Sequence, residues 1–416
     1  MSSEQMFGAE LAETIRETEK QIEQKKTQIH EQVLYHQNNV LKSFRKHKVS
    51  QAHLLGTTGY GYDDLGRDTL DRIYADVFGA ESAIVRSQII SGTHAIATAL
   101  FGVLRPGDDL LYITGEPYDT LQEVVGLSGN GIGSFKEYQI GFDSIPLTST
   151  GKVDYKEVRN KLTAETKVVA IQRSRGYASR PSFTIKEIEE MIQKVREISP
   201  DCIVFVDNCY GEFVEEKEPT QIGADLIAGS LIKNPGGGLA KTGGYIAGRK
   251  NLVEKCAYRL TSPGIGREAG ASIDVLADMY QGFFLAPHVV GEALKGAIYT
   301  AGLLERLGVK TEPNWDGFRT DLIQSVDLKT KEQMVKFIQT IQKYSPIDAH
   351  VLPIGGYMPG YEDDIIMAAG TFVQGASIEL SADGPIRPPF TIYLQGGLTY
   401  EHVKLAVSFA VKELYF

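Results

Sequence analysis

The stretch Ile203-Val204-Phe205-Val206-Asp207-Asn208 reads as a strand that is apolar on both faces and ends on a carboxylate. Such a strand belongs inside a sheet that is covered on both sides. Working outward from it, short apolar runs recur at 82–87, 109–114, 167–172, 226–231 and 244–247. Amphipathic stretches such as 184–198 lie between several of them. Strands alternating with helices predict βαβ units with right-handed crossovers. The expected fold class is therefore α/β, with a mostly parallel mixed sheet sandwiched by helices.

Either side of this region the pattern changes. Leu11, Ile15, Ile22, Ile29 and Val33 make a narrow apolar stripe among Glu, Lys and Gln, which predicts a helix over roughly the first 45 residues. It reads equally as a helix packed on the body of the chain or as an arm around a second subunit. Residues 267–306 predict a long helical region, broken at Pro287. Beyond Gly308, a helix at 331–344, strand-like segments ending near Leu394 and a terminal helix from Tyr400 predict a smaller α+β domain. The expected division is a helical arm (1–50), a large domain (51–285) and a C-terminal domain with its linking helix (286–416).

Composition narrows the function. The 416 residues carry 53 Asp and Glu against 43 Lys and Arg, a net charge of −10, so the basic footprint of a nucleic-acid binder is missing. No apolar run is long enough for a membrane span, and the charged N-terminal segment lacks the core of a signal peptide. Cys202, Cys209 and Cys256 form neither a disulfide framework nor a metal-ligand pattern. The expectation is a cytoplasmic protein without membrane or nucleic-acid partners. The 43 glycines exceed the usual share of about 7% and cluster at 56–66 and 236–244. Clustered glycine marks tight turns or backbone close to a ligand.

Three motifs carry chemistry. Ser91-Gly92-Thr93-His94 follows a strand and opens a helix, a position where free N–H groups and the helix dipole can hold a phosphate. The plainer reading is an ordinary Ser cap. Asp207 ends its strand at the edge where open α/β sheets bind ligands, or else caps the next element. Ser230-Leu231-Ile232-Lys233 leads into Asn234-Pro235-Gly236-Gly237-Gly238. A lysine against an apolar wall can attack a carbonyl, whereas most loop lysines are simply solvated. Individually these signals are weak, but their order points to one ligand, pyridoxal phosphate. Its aldehyde needs a lysine, Lys233. Its ring nitrogen needs a carboxylate, Asp207, its phosphate a helix start, and its flat ring an aromatic partner, Tyr118.

On these stretches, together with Gly59-Tyr60-Gly61-Tyr62-Asp63-Asp64 and Glu116-Pro117-Tyr118-Asp119-Thr120, the chain resembles fold-type-I pyridoxal-phosphate enzymes from about residue 50 to its end. It is most similar to the cystathionine lyase and methionine gamma-lyase group, in a branch labelled aluminium-resistance protein. The resemblance implies that Lys233 binds the cofactor covalently and moves the α-proton, that Asp207 pairs with the ring nitrogen, and that Tyr118 stacks on the ring. It implies a phosphate site from Ser91, Gly92, Thr93 and Ser230. It also implies a homodimer or homotetramer in which Tyr60 and Tyr62 reach the phosphate of a neighbouring subunit. Here Tyr62 stands where that group has an arginine, so a charged donor is lost. Tyr393 stands where that group has its substrate-carboxylate arginine. The nearest substitute is Arg387, in Asp383-Gly384-Pro385-Ile386-Arg387-Pro388-Pro389, a planar donor for a carboxylate or else an exposed loop residue.

Other fragments carry less. Lys241 competes with Lys233 but lacks the preceding Ser-x-x. Ala240 and Pro235 occupy the two glycine positions that a P-loop at Lys241 would need. His30-Glu31 begins a zincin motif that Leu34 ends. The expected activity is a carbon–sulfur lyase performing β- or γ-elimination on a sulfur amino acid. Transamination, decarboxylation, or cofactor binding without turnover are the alternatives.

Overall fold

Strands that are apolar on both faces are stable only in a sheet covered on both sides. The computed structural model describes residues 3–178, 180–358, 361 and 363–416. In it β1 (Ser82–Arg86), β2 (Asp109–Tyr112), β3 (Gly141–Ser144), β4 (Thr166–Gln172), β5 (Ile203–Asp207), β6 (Leu226–Ser230) and β7 (Gly244–Gly248) form one seven-stranded sheet. Its order is β1-β7-β6-β5-β4-β2-β3. The strands from β6 across to β3 run parallel, and β7 is antiparallel to both β6 and β1. The mixed, mostly parallel α/β architecture is thus the one expected. Only β3 has no counterpart in the sequence reading. Its Gly-Phe-Asp-Ser sequence sits at the sheet edge, half exposed, and has no apolar run to reveal it.

Local chemistry sets the helix ends that matter here. Asp64 accepts the backbone N–H of Arg67 at 2.8 Å and starts helix Leu65–Phe78, which Gly79 ends in the left-handed region at φ 65°. Ser91 accepts the N–H of His94 at 3.0 Å and starts helix Gly92–Val103. Ala95, Ile96, Ala99, Leu100 and Val103 on that helix pack with Ile84, Leu110, Val168, Phe205, Leu226 and Ile246 from the sheet. The long helix differs from the expectation. It spans Leu276–Arg306 and runs unbroken through Pro287, while residues 269–275 are not helical.

The chain separates into two units, Asn38–Phe284, and Leu285–Phe416 joined by the segment up to Gln37. The first holds the seven-stranded sheet. The second holds an antiparallel sheet of β8 (Lys310–Glu312), β9 (Gln324–Asp327), β10 (Ile365–Ala368), β11 (Ser381–Pro385) and β12 (Thr391–Gln395), in the order β10-β11-β12-β9-β8. Helix Lys331–Lys343 and the terminal helix Tyr400–Tyr415 pair in this smaller unit. The N-terminal stripe is used inside its own chain. Leu11, Ile15, Ile22 and Ile29 are buried, and a Cβ at Gly302 would meet Ile22 at 3.2 Å. Burial contributes about 1.5–3 kcal/mol for each such side chain.

Candidate cofactor site

The carboxyl ends of the parallel strands deliver the polar groups, as the open-sheet rule requires. Gln172 ends β4 and pairs in register with Asp207, which ends β5. Ser230 ends β6, and Lys233 follows three residues on. Helix Gly92–Val103 brings Gly92 to the same place. A Cβ on Gly92 would lie 3.3 Å from Cys209 Sγ, 3.5 Å from Ser230 Cβ and 3.9 Å from Lys233 Nζ. Residues from four separate chain segments therefore meet in a space a few ångströms across.

Each group is held by a specific contact. Asp207 is buried, and its Oδ1 accepts the N–H of Cys209 at 3.1 Å. Burial pushes its carboxyl above the usual carboxylate range, opposed by Lys233, Cys209 and Arg180. Lys233 Nζ sits 4.0 Å from the centre of the Tyr210 ring. Burial opposes its charge, but Cys209, Tyr210, Tyr118 and Asp207 favour it, and the balance lies above the ordinary lysine value. Among the described residues no carboxylate forms an ion pair with Lys233. Lys233 and Asp207 therefore act on each other electrostatically without an ion pair between them.

Tyr118 is positioned from two sides. Gln172 Oε1 accepts its backbone N–H at 2.9 Å, and Thr93 Oγ1 lies 2.8 Å from its hydroxyl. Thr93 is also 2.8 Å from Thr120 Oγ1. Burial and the nearby Asp207 raise the Tyr118 phenol, so it stays neutral at physiological pH. Ser91 acts as the helix cap, and His94 Nδ1 accepts the N–H of Ile90 at 3.2 Å. Ser230 is buried and its Oγ has no hydrogen-bond partner. An orphan hydroxyl is costly unless something else completes it.

The fit to pyridoxal phosphate rests on these observations. The orphan Ser230 hydroxyl beside Gly92 at a helix start would suit the phosphate, buried Asp207 the ring nitrogen, Lys233 the aldehyde and the tethered Tyr118 the ring of that group.

The remaining sequence candidates lie elsewhere. Tyr60 and Tyr62 stack on each other with ring centres 5.4 Å apart, and both are exposed, at 72% and 56%. Buried Arg67 supports their turn by donating to the carbonyls of Gly61 and Gly270. Arg387 belongs to the smaller unit, is 55% exposed and pairs with Asp363 at 2.7 Å. Lys241 is 74% exposed and pairs with Asp278 at 2.8 Å.

Sequence reasoning missed the polar network behind the pocket. Arg173 is fully buried, donates to Asn208 Oδ1 at 2.9 Å and to Glu215 at 3.2 Å, and lies 3.7 Å from Glu218. Asn208 in turn donates to Glu218 at 2.8 Å, and the Tyr245 hydroxyl donates to Glu212 Oε1 at 2.8 Å. Burial raises the Glu212 carboxyl to about 8. In the sequence only the density of Glu between 212 and 218 hinted at this network.

The same architecture recurs in known proteins. The chain is 63% identical over 407 residues to the uncharacterized protein YnbB of Bacillus subtilis strain 168, covering 97% of each. A Listeria monocytogenes str. 4b F2365 structure superposes with a TM-score of 0.95 at 62% identity, covering 96% of this chain and 99% of that one. Its name, given provisionally, is cystathionine beta-lyase involved in aluminum resistance. A structure from Clostridium novyi NT, titled carbon-sulfur lyase involved in aluminum resistance, matches with a TM-score of 0.93 at 46% identity, covering 97% and 95%. The model of the methionine gamma-lyase family matches residues 11–415, nearly the whole length over which the two units are built, and to that family this chain belongs.

Proposed function

We propose that the protein is a pyridoxal-phosphate-dependent carbon–sulfur lyase that performs β- or γ-elimination on a sulfur amino acid. The observation that carries this reading is the convergence of Lys233, Gly92 and the buried, unpartnered Ser230 hydroxyl, with Asp207 acting electrostatically on the lysine. Family membership and the lyase names of the relatives support it. When bound, pyridoxal phosphate supplies an aldehyde for an amino group and a ring that accepts the electron pair left by a departing proton.

The chain's own residues do the rest. Lys233 Nζ would hold the cofactor and, as the free amine, would be the base that takes the α-proton. Asp207 keeps a proton on the ring nitrogen, which a buried carboxylate does well because little solvent competes. Tyr118 covers the ring face, with its neutral phenol steered by Thr93. Gly92, Thr93 and Ser230 donate to the phosphate, with Ser91 fixing the helix start that aims them. Tyr60 and Tyr62, exposed on one protomer, extend to the phosphate of a neighbour in a dimer or tetramer. The sulfur of the substrate leaves as a thiol, and water hydrolyses the unsaturated amine that remains to a keto acid and ammonia.

Borohydride reduction of the purified protein followed by peptide mapping tests the assignment. A pyridoxyl group on the Lys233 peptide is expected. Its appearance on the Lys241 peptide, or on none, sinks the proposal. Release of thiol, ammonia and keto acid from cystathionine or methionine tests the elimination; exchange of the amino group onto a keto acid would point instead to transamination.

A further inference from the structure

The loop that leads away from Asp207, residues 208–214, has an unusual backbone. Tyr210 and Phe213 take left-handed φ values of 70° and 64°, a region that bulky side chains seldom enter. Gly211, the residue best suited to that region, lies outside it. This glycine serves another need, because a Cβ there would meet the guanidinium carbon of buried Arg173 at 2.5 Å. Both left-handed residues must therefore be held by their surroundings. Phe213 is buried against Phe78 and Phe283, with ring centres 5.8 and 5.5 Å away, and its N–H donates to Glu218 Oε1 at 2.9 Å. Tyr210 is half-buried, and its ring centre lies 4.0 Å from Lys233 Nζ.

A hold on Tyr210 comes from the lysine's own turn. Asn234 follows Lys233 and is fully buried. Its Nδ2 donates to the carbonyl of Tyr210 at 3.0 Å and to that of Glu212 at 2.9 Å. These two donations fix the orientation of the amide and leave Oδ1 buried, with no hydrogen-bond partner among the described residues. An orphan acceptor lowers stability, so the amide is placed for what it donates. The anchor itself is stiff. Pro235 fixes its own φ in the short 3-10 turn Asn234–Gly236. Gly236 packs so closely that a Cβ would meet the Leu231 carbonyl oxygen at 1.7 Å.

We propose that Asn234 is a positioning residue: by holding the carbonyls of Tyr210 and Glu212 it keeps Tyr210 in its left-handed conformation and so lays the aromatic ring against Lys233 Nζ. The ring face stabilises the ammonium over the amine. Asn234 thus acts through Tyr210 on the fraction of Lys233 able to attack a carbonyl, a role that rests on the cofactor reading of Lys233. It also ties the loop after Asp207 to the turn that carries Lys233, which joins the two residues assigned to opposite ends of the cofactor ring.

The test uses the full chain as wild type, Asn234→Ala, Tyr210→Leu, Tyr210→Phe and the double variant Asn234→Ala with Tyr210→Leu. In Asn234→Ala, amide hydrogen exchange over residues 208–214 is expected to quicken about 10-fold, the value of one lost hydrogen bond. Uptake of pyridoxal phosphate at pH 7 is expected to rise about 2- to 5-fold, as in Tyr210→Leu, because the ring no longer holds the ammonium. The double variant should be no faster than either single one, and Tyr210→Phe, which keeps a ring, should match the wild type. Asn234→Ser, which has one donor, replaces the alanine variant if that one fails to fold. Acetic anhydride labelling of Lys233 relative to exposed Lys241, read by mass spectrometry on the cofactor-free chain, makes the same comparison without pyridoxal phosphate. Faster exchange with uptake and labelling unchanged or slowed would make Asn234 a purely structural residue and overturn the proposal. Unchanged exchange, or additive effects in the double variant, would overturn it as well. A wild type that takes up no pyridoxal phosphate on Lys233 is a separate failure, of the cofactor reading, and the exchange and labelling results then decide the proposal by themselves.

Discussion

Lys233 Nζ stands 4.0 Å from the centre of the Tyr210 ring, with no carboxylate in ion-pair contact among the described residues. The aromatic face and the acidic neighbours stabilise the ammonium, which is the wrong form for attacking an aldehyde. Because the lysine lies above its ordinary value, the reactive amine fraction grows as pH rises. Uptake of pyridoxal phosphate by cofactor-free protein should therefore quicken steadily between pH 7 and 9. Tyr210→Leu removes a cation–π contribution of about 0.5–1 kcal/mol, so uptake at pH 7 should rise by a factor of about 2–5. Stopped-flow absorbance measures it, and a rate independent of pH in both proteins would refute the account.

Ser230 and Gly92 separate cofactor binding from folding. The Ser230 hydroxyl is buried and unpartnered, so Ser230→Ala should leave the cofactor-free protein as stable as before or slightly more so. A Cβ at Gly92 would lie 3.3 Å from Cys209 Sγ, a tight contact that a small shift of the thiol relieves, so Gly92→Ala should still fold. Ser230→Ala should weaken pyridoxal phosphate binding by roughly 10-fold, the value of one hydrogen bond to a charged group, and Gly92→Ala should weaken it by crowding. Melting curves and equilibrium titrations read the two effects separately. Stability losses with unchanged cofactor affinity would assign both residues to packing alone.

Glu212 should make stability depend on pH. Its folded-state value of about 8 lies above the ordinary glutamate value, so the folded state holds a proton that the unfolded chain releases near 4.5. Its contribution is fully present below about 4.5 and is lost as pH rises through about 8, a cost of a few kcal/mol. Glu212→Gln keeps the acceptor for Tyr245 and has no proton to lose. The melting temperature of Glu212→Gln minus that of the wild type should be near zero at pH 4.5 and widen up to pH 8. A gap that stays constant over that range excludes a protonated Glu212. The comparison cancels buried Asp207 and Glu218, which are raised in both proteins.

Much of this protein was legible before its structure. The apolar runs that became β4, β5 and β6 are too short for helices and too uniformly apolar for an exposed sheet, so the parallel core followed from them. The order Gly92, Tyr118, Asp207, Lys233 pointed to residues that follow strands, and in such sheets polar residues just after apolar strands gather along one edge. The edge strand β3 and the unbroken passage of the long helix through Pro287 were not legible. Both depend on neighbours outside the local pattern, since an edge strand needs only one partner and a packed helix can absorb a missing N–H.

By itself, then, the sequence determined the α/β class, the strand-end placement of Asp207 and Lys233, and the family resemblance, all of which rest on local periodicity and spacing. Tertiary structure alone decided which charges are paired. It set Lys241 and Arg387 in solvent against Asp278 and Asp363, and it buried Arg173 with Asn208 and Glu215. It left the buried Ser230 hydroxyl without a hydrogen-bond partner among the described residues. The physical reason is that the cost of a polar atom depends on what lies within about 3 Å of it, and those neighbours come from distant parts of the chain.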